Sequence, residues 1–271
     1  MTTLQRFSGL LCLILFATGA HAVTIPLNNV SDDDMKKVTG DMTANFHHSS
    51  VSGANTLGKI WGVEVGVVGD STSTPHLNDV VHKADPTADA SKLYNAALLG
   101  VVSVPFGITG EVSVLPKQTM SGISFGTFSL AAKWTITEDL LSDLPFSLAV
   151  KAQYTNADVK FSQTISPYGS VDYSYTNKET SGMVLISKNL MILEPYVGVG
   201  MVNSKGDMST GSVPIFSNDG GVTHSTSGSG SRSGLTWMVG TEVKLLVLKL
   251  GVEYAQVLDT SRIGGKVSFY F

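Results

Sequence analysis

The sequence predicts an all-β fold: a transmembrane up-and-down antiparallel β-barrel of about ten strands, within a range of about eight to twelve, preceded by a short N-terminal α-helix. Three observations predict it. Alternation of apolar with small or charged residues recurs from Trp61 to the last residue, which is the period of a strand with two unlike faces. Charged residues make up 15% of the chain and glycine 28 of 271, against about 25% charged in a soluble domain. The final residues, Lys266-Val267-Ser268-Phe269-Tyr270-Phe271, put Val267, Phe269 and Phe271 on one face and polar groups on the other.

The elements follow in order. Met1–Ala22 has one cation, Arg6, an apolar run from Leu10 to Ala17 and the small-x-small site Ala20-His21-Ala22. This pattern predicts a signal peptide over residues 1–22, cleaved after Ala22. Cys12, the single cysteine, lies inside that run, so a mature chain would hold no disulfide and no cysteine metal site. Residues 23–60 form an N-terminal helix and linker. Residues 23–30 look extended. Ser31–Phe46 reads as a helix, capped by Ser31, with Asp32, Asp33 and Asp34 at the positive end of its dipole and Met35, Val38, Met42 and Phe46 as a narrow apolar stripe. Residues 61–271 supply the barrel, with alternating segments near 61–67, 94–104, 107–116, 123–137, 145–160, 169–188, 193–204, 231–245, 247–257 and 262–271.

The connections agree in phase. Four are short: 104–107, 137–145, 188–193 and 245–248. Two are long: 70–93 and 203–232, the second rich in glycine and able to hold an extra hairpin. With both barrel ends in the periplasm, the long loops fall on the outer side, as in bacterial barrels. Aromatics cluster near strand ends: Trp61, Phe106, Phe146, Phe269 and Phe271 toward the periplasm, and Tyr154, Tyr173, Tyr175 and Tyr254 farther out. Interfacial girdles have this pattern. No second apolar run approaches about 18 residues, so no transmembrane helix is expected.

The closing segment resembles the C-terminal assembly signal of Gram-negative outer-membrane β-barrels, departing from it at Lys266, where a glycine is usual. The resemblance implies an outer-membrane location, with outer-membrane lipid and the barrel-assembly machinery as partners. The stretch His47-His48-Ser49-Ser50-Val51-Ser52-Gly53-Ala54-Asn55-Thr56-Leu57-Gly58, followed by the first strand, is similar to the N-terminal region of a family of outer-membrane barrels of unknown function. The layout also resembles fatty-acid-transporter-type barrels with an N-terminal hatch.

With the apolar parity facing lipid, the inward parity collects Glu64, Glu111, Glu194, Glu242 and Glu253 with Lys133, Lys151, Lys244, Lys249 and Lys266. Isolated charges are costly in such an interior, whereas paired ones are tolerated. Antiparallel pairing predicts Glu242 near Lys249, Glu253 near Lys266, and Glu64 near Lys266 across the closing seam. The network either fills a closed barrel or forms a charged constriction. The helix either enters the lumen as a plug, pairing Asp32–Asp34 and Lys36–Lys37 with wall charges, or lies beneath the barrel.

Functional readings follow from this frame. A passive channel or transporter for small or apolar solutes ranks first. A structural or adhesive barrel with a closed, ion-paired lumen and binding outer loops comes next. A rim enzyme would draw on His76, Asp79, His82, Asp85, Asp89, Asp207, Asp219 and His224, but these read as solvated loop residues, so no enzyme is expected. A soluble secreted β-protein remains the fold alternative. His47 and His48, adjacent on an extended segment, point opposite ways and do not make a metal site. No phosphate loop and no basic excess is present, the net charge being −4, so neither a nucleotide cofactor nor nucleic acid is expected.

Overall fold

A computed structural model describes residues 31–58, 61–84, 86–87, 89–120, 123–139, 144–165, 169–210, 213–215, 222–224 and 227–271. The signal-peptide reading of residues 1–22 and the extended reading of 23–30 lie outside them. In chain order the elements are α1 (Asp32–Phe46), β1 (Gly62–Ser73), α2 (Pro75–Ala84), β2 (Lys92–Val104), β3 (Ile108–Met120), β4 (Ile123–Thr135), α3 (Ile136–Asp139), β5 (Ser147–Ile165), β6 (Gly169–Ser187), β7 (Leu193–Thr210), β8 (Val213–Ile215), β9 (Val222–His224), β10 (Ser227–Leu245), β11 (Leu248–Val257) and β12 (Thr260–Tyr270).

Ten strands close an antiparallel barrel in the order β1-β12-β11-β10-β7-β6-β5-β4-β3-β2; β8 and β9 form a separate hairpin in the second long loop. The seam is β1 on β12, with Val65 opposite Phe269 and Val68 opposite Lys266. Main-chain bonds between Val63 and Phe271 in both directions, 2.9 and 2.8 Å, extend it to the last residue. At the short turns, on the side that the sequence reading assigns to the periplasm, Phe106, Met191 and Leu246 take positive φ, the left-handed backbone that tight hairpins require.

The outward parity is apolar and exposed: Val65, Leu130, Val199, Leu235, Val252 and Ile263 all stand on it. A soluble protein would cover such a surface; on a closed barrel it is the band that meets lipid. Trp61, Phe106, Phe146 and Phe271 are exposed near the periplasmic ends, and Trp237 lies against Tyr254 with ring centroids 5.5 Å apart nearer the outer side. Tyr173 and Tyr175 are not part of the outer girdle. The parity of β6 turns them inward with Asn177 and Glu179, and both are buried.

The outer rim is uneven. Strands β5, β6, β7 and β10 have 18 or 19 residues, the other six only 10 to 13. About 9–11 residues cross the bilayer, so the long four rise well past it as one continuous wall. On the low side β11 ends where Val257 pairs Thr236, leaving Ser227–Leu235 of β10 with no β11 partner. There the first long loop, read from sequence only as a polar loop, contains α2.

Helix α1 lies inside the barrel and not beneath it. Ser31 caps it: its hydroxyl accepts from the Asp34 amide at 3.1 Å and donates to the Asp34 carboxylate at 2.9 Å. Gly40 does not break the helix. It faces the outer β11–β12 turn, where an added Cβ would lie 3.6 Å from the Asp259 carboxylate.

Candidate functional site

The site is the lumen and the segment that fills it. Asp41, Thr43, Ala44, Asn45, Phe46, His47, His48, Ser49, Ser50, Val51, Gly53 and Ala54 are all buried. Because strand side chains alternate, every second wall residue from each strand points at this segment.

Polar bonds to its main chain dominate the contact. Arg262 donates from Nη1 to the His47 carbonyl at 2.6 Å. Lys133 donates to the carbonyls of Gly53 and Asn55 at 2.8 and 2.9 Å, and the Thr135 hydroxyl to that of Ala54 at 2.6 Å. The Ser187 hydroxyl accepts from the Ala54 amide at 3.0 Å. The histidine side chains diverge: His47 meets Glu179 and Gln153, while His48 meets Glu111 at 2.9 Å and Ser129 at 2.7 Å. Apolar packing is confined to small patches, such as Val51 against Val68, Leu99 and Val101.

The ten inward charges separate into groups. Lys249 bonds Glu64 at 3.0 Å and Glu242 at 3.1 Å, and Lys266 bonds Glu64 at 2.8 Å and Glu242 at 2.5 Å. These four residues, from β11, β1, β10 and β12, make a closed ring of alternating charge beside the seam. Lys244 pairs Glu194 at 2.7 Å and Lys151 pairs Glu111 at 2.7 Å. Lys133 serves the segment's carbonyls. Glu253 is not a partner of Lys266: it faces Gly264 in register, accepts from the Tyr196 hydroxyl at 2.8 Å, and lies 3.5 Å from Arg262.

Four buried charges were missed from sequence. Asp41, Asp70, Glu179 and Arg262 are enclosed, and Arg262 lies 3.7 Å from Asp70. The last three occupy inward positions of β1, β6 and β12; Asp70 lies in the stretch read as loop, whereas Glu179 and Arg262 fall inside the alternating segments 169–188 and 262–271 and were not counted with the inward parity. Asp33, Asp34 and Lys37 pair elsewhere than with wall charges. Asp33 pairs Lys37 at 2.7 Å within α1, and Asp34 pairs Lys83 of α2 at 3.1 Å. Asp41 is the helix group that reaches the rim, accepting from His76 Nδ1 (3.1 Å), the Leu77 amide (2.9 Å) and the Thr260 hydroxyl (2.8 Å).

The rim histidines and aspartates are scattered accordingly. His76 is bound to Asp41, Asp79 and His82 line an open cleft of about 470 Å³ beside Lys37 and Lys83, Asp89 accepts from the Ser91 amide, and Asp207 pairs Lys205 at 2.9 Å. Asp85 and Asp219 lie outside the described residues. Below the segment, the periplasmic end of the lumen keeps a void of about 10 Å³, lined by Asn55, Leu57, Glu64, Glu194, Glu242 and Lys249 among others. A single water needs about that much.

Val267 and Phe269 on the outward face of β12, and Phe271 just past its end, are exposed; Lys266, immediately before them in sequence, points inward.

No curated protein matches the chain. Among solved structures it is similar to the translocator domain of the autotransporter NalP from Neisseria meningitidis (10% identity, 79% of this chain and 89% of that one, TM-score 0.44). It is similar also to the outer membrane protease OmpT from Escherichia coli (10% identity, 78% and 96%, TM-score 0.42) and to Ail, the attachment invasion locus protein of Yersinia pestis (11% identity, 78% and 97%, TM-score 0.33). A model described as a family of unknown function (DUF6588) matches residues 28–269. The chain therefore belongs to that family, and its fold is a ten-stranded outer-membrane β-barrel with a filled lumen.

Proposed function

We propose that this protein resides in the outer membrane as a gated passive channel for small polar solutes, with residues 31–58 as the plug. One observation carries the reading: the plug is joined to the wall chiefly through hydrogen bonds and charges, at His47, Gly53, Ala54 and Asn55. Water can replace such bonds at a net cost of only about 0.5–1.5 kcal/mol each. A lumen filled for stability alone would do as well or better with apolar packing. Apolar solutes would find little apolar lining in the wall. Export by the leader, and assembly through Val267, Phe269 and Phe271, belong to the same proposal.

Recording in planar bilayers tests it. The intact protein should be mostly silent with rare openings, and the protein lacking residues 31–58 should conduct steadily. A deletion protein that still shows heat-modifiable folding yet passes no current would end the channel reading.

The small void favours a second reading, a permanently closed barrel that works through its outer loops. Replacing residues 211–226 by a short turn would then abolish surface binding and leave folding intact. Strands β7 and β10 would be spared, because they end and begin at Thr210 and Ser227.

A further inference from the structure

Contacts fix the direction of the plug along the barrel axis. Asp34 pairs with Lys83 of α2 in the first outer loop. An added Cβ at Gly230, near the outer end of β10, would lie 2.7 Å from the Met35 carbonyl. Asp41 is bonded to Thr260 at the outer β11–β12 turn. His47 is at mid-wall with Arg262 and Glu179. A Cβ at Gly53 would meet Glu194 and Ser187, at the periplasmic ends of β7 and β6. The chain descends from the long-loop end to the short-turn end, and Ser31, where the descent starts, is exposed.

We infer that the barrel presents the amino end of its plug on the outer surface of the cell, so that a segment joined ahead of Ser31 is displayed outside. The physical ground is the crossing itself. β1 starts at the periplasmic rim, so the chain between Ser31 and Gly62 spans the bilayer once before the first strand does. Asp32, Asp33, Asp34, Lys36 and Lys37 cannot cross about 30 Å of hydrocarbon unaided. The lumen is the polar route, and the arm passes through it as the barrel forms. This makes the barrel a display scaffold for its own N-terminal arm, whether or not the plug ever leaves.

The inference rests on the outer-membrane reading but not on gating, and single cysteines separate the two. Cys12 is the chain's single cysteine. In a Cys12→Ser background, Ser31→Cys, His82→Cys and Leu246→Cys are each treated with a membrane-impermeant maleimide. His82 is exposed on α2 and Leu246 in a periplasmic turn. On intact cells Ser31→Cys and His82→Cys should label, and Leu246→Cys only after permeabilisation. Ser31→Cys that stays protected while His82→Cys labels overturns the display inference and leaves the barrel's orientation standing. Protection of His82→Cys with labelling of Leu246→Cys overturns both. A Ser31→Cys that fails to label even in permeabilised cells overturns the exposed mouth.

Discussion

Arg262 Nη1 donates a 2.6 Å hydrogen bond to the main-chain carbonyl of His47, while the same guanidinium lies 3.7 and 3.5 Å from the Asp70 and Glu253 carboxylates. Charge-assisted bonds usually run about 2.7–2.9 Å. The closest contact of this buried cation is therefore with the plug, and the wall carboxylates compensate its charge from farther away. Arg262 is 1% exposed, so one side chain both balances the outer half of the lumen and holds the plug at mid-depth.

Arg262→Ala should loosen the plug and destabilise the barrel together. It leaves Asp70 and Glu253 without their cation, a loss of about 3–5 kcal/mol for a buried pair. Hydrogen exchange at the amides of residues 47–50 should accelerate in the folded protein. Arg262→Lys keeps the charge but has no fork to span the carbonyl and both carboxylates, and should fall between. Unchanged exchange in Arg262→Ala would show that this bond does not hold the plug.

The ring of Glu64, Glu242, Lys249 and Lys266 should behave as a unit. Lys266→Met leaves two carboxylates with one cation and should lower stability by about 3–5 kcal/mol. Adding Glu64→Gln removes the surplus charge and should recover part of it. A double-mutant cycle on urea unfolding in detergent measures the coupling; additive losses would mean that the ring is not cooperative.

Gly230→Ala probes the plug without touching a charge. Its Cβ would lie 2.7 Å from both the Met35 carbonyl and the Thr39 hydroxyl, and backbone cannot yield as a side-chain end can. We expect α1 to shift away from β10, seen as more frequent single-channel openings with barrel stability nearly intact. Opening rates equal to wild type would argue against a gate at that contact.

The outer end of α1 should respond to acid. The Asp34 carboxyl is held below the usual range by the Ser31 hydroxyl first and by Lys83 next. A group lowered in the folded state contributes fully above its unfolded value of about 3.9. That contribution fades as pH falls through the lower folded value. Protection from hydrogen exchange over residues 32–37, taken relative to the intrinsic rate at each pH, should thus be flat at neutral pH and fall in acid below about pH 4. In Asp34→Asn the step should vanish, and its persistence would assign it to another carboxylate.

On the lipid side, Val199→Arg places a charge on the exposed apolar band of β7. At the bilayer midplane this costs about 2–4 kcal/mol. The same change at Ser209, near the outer end of that strand, should cost little. Equal costs would displace the membrane from where the apolar band puts it.

Period-two alternation made the barrel legible because one face of each strand meets lipid and the other meets the lumen. It located the ten inward charges for the same reason. Past the membrane both faces of a strand are polar, as in Ser227–Arg232, and the period vanishes; the outer halves of β7 and β10 therefore read as loop. Asp70 was lost beyond the end of the segment read at 61–67, whereas Glu179 and Arg262 lie inside the segments 169–188 and 262–271 and were left out of the inward set. The partner of Glu253 was misassigned because β11 and β12 stagger: Lys266 lies opposite Gly251, and its ammonium reaches sideways to Glu64 and Glu242. Helix α2 carries only Leu77, Val80 and Val81 as large apolar residues, too few to stand out from a polar loop.

For the gated channel proposed above, the uneven rim would make the plug a door rather than a cork. On one side α1 leans on the tall wall, against β10. On the other its upper turns stand above the β11–β12 turn, and the ties that cross that gap are those to α2 and the turn, through Asp34–Lys83, Asp41–His76 and Asp41–Thr260. Axial withdrawal must break the bonds at Arg262, Lys133 and Thr135 together, whereas a swing toward the low side starts by releasing only those outer ties. If the barrel gates as proposed, access to the lumen is lateral in its first step, with α2 as the bolt and β10 as the jamb.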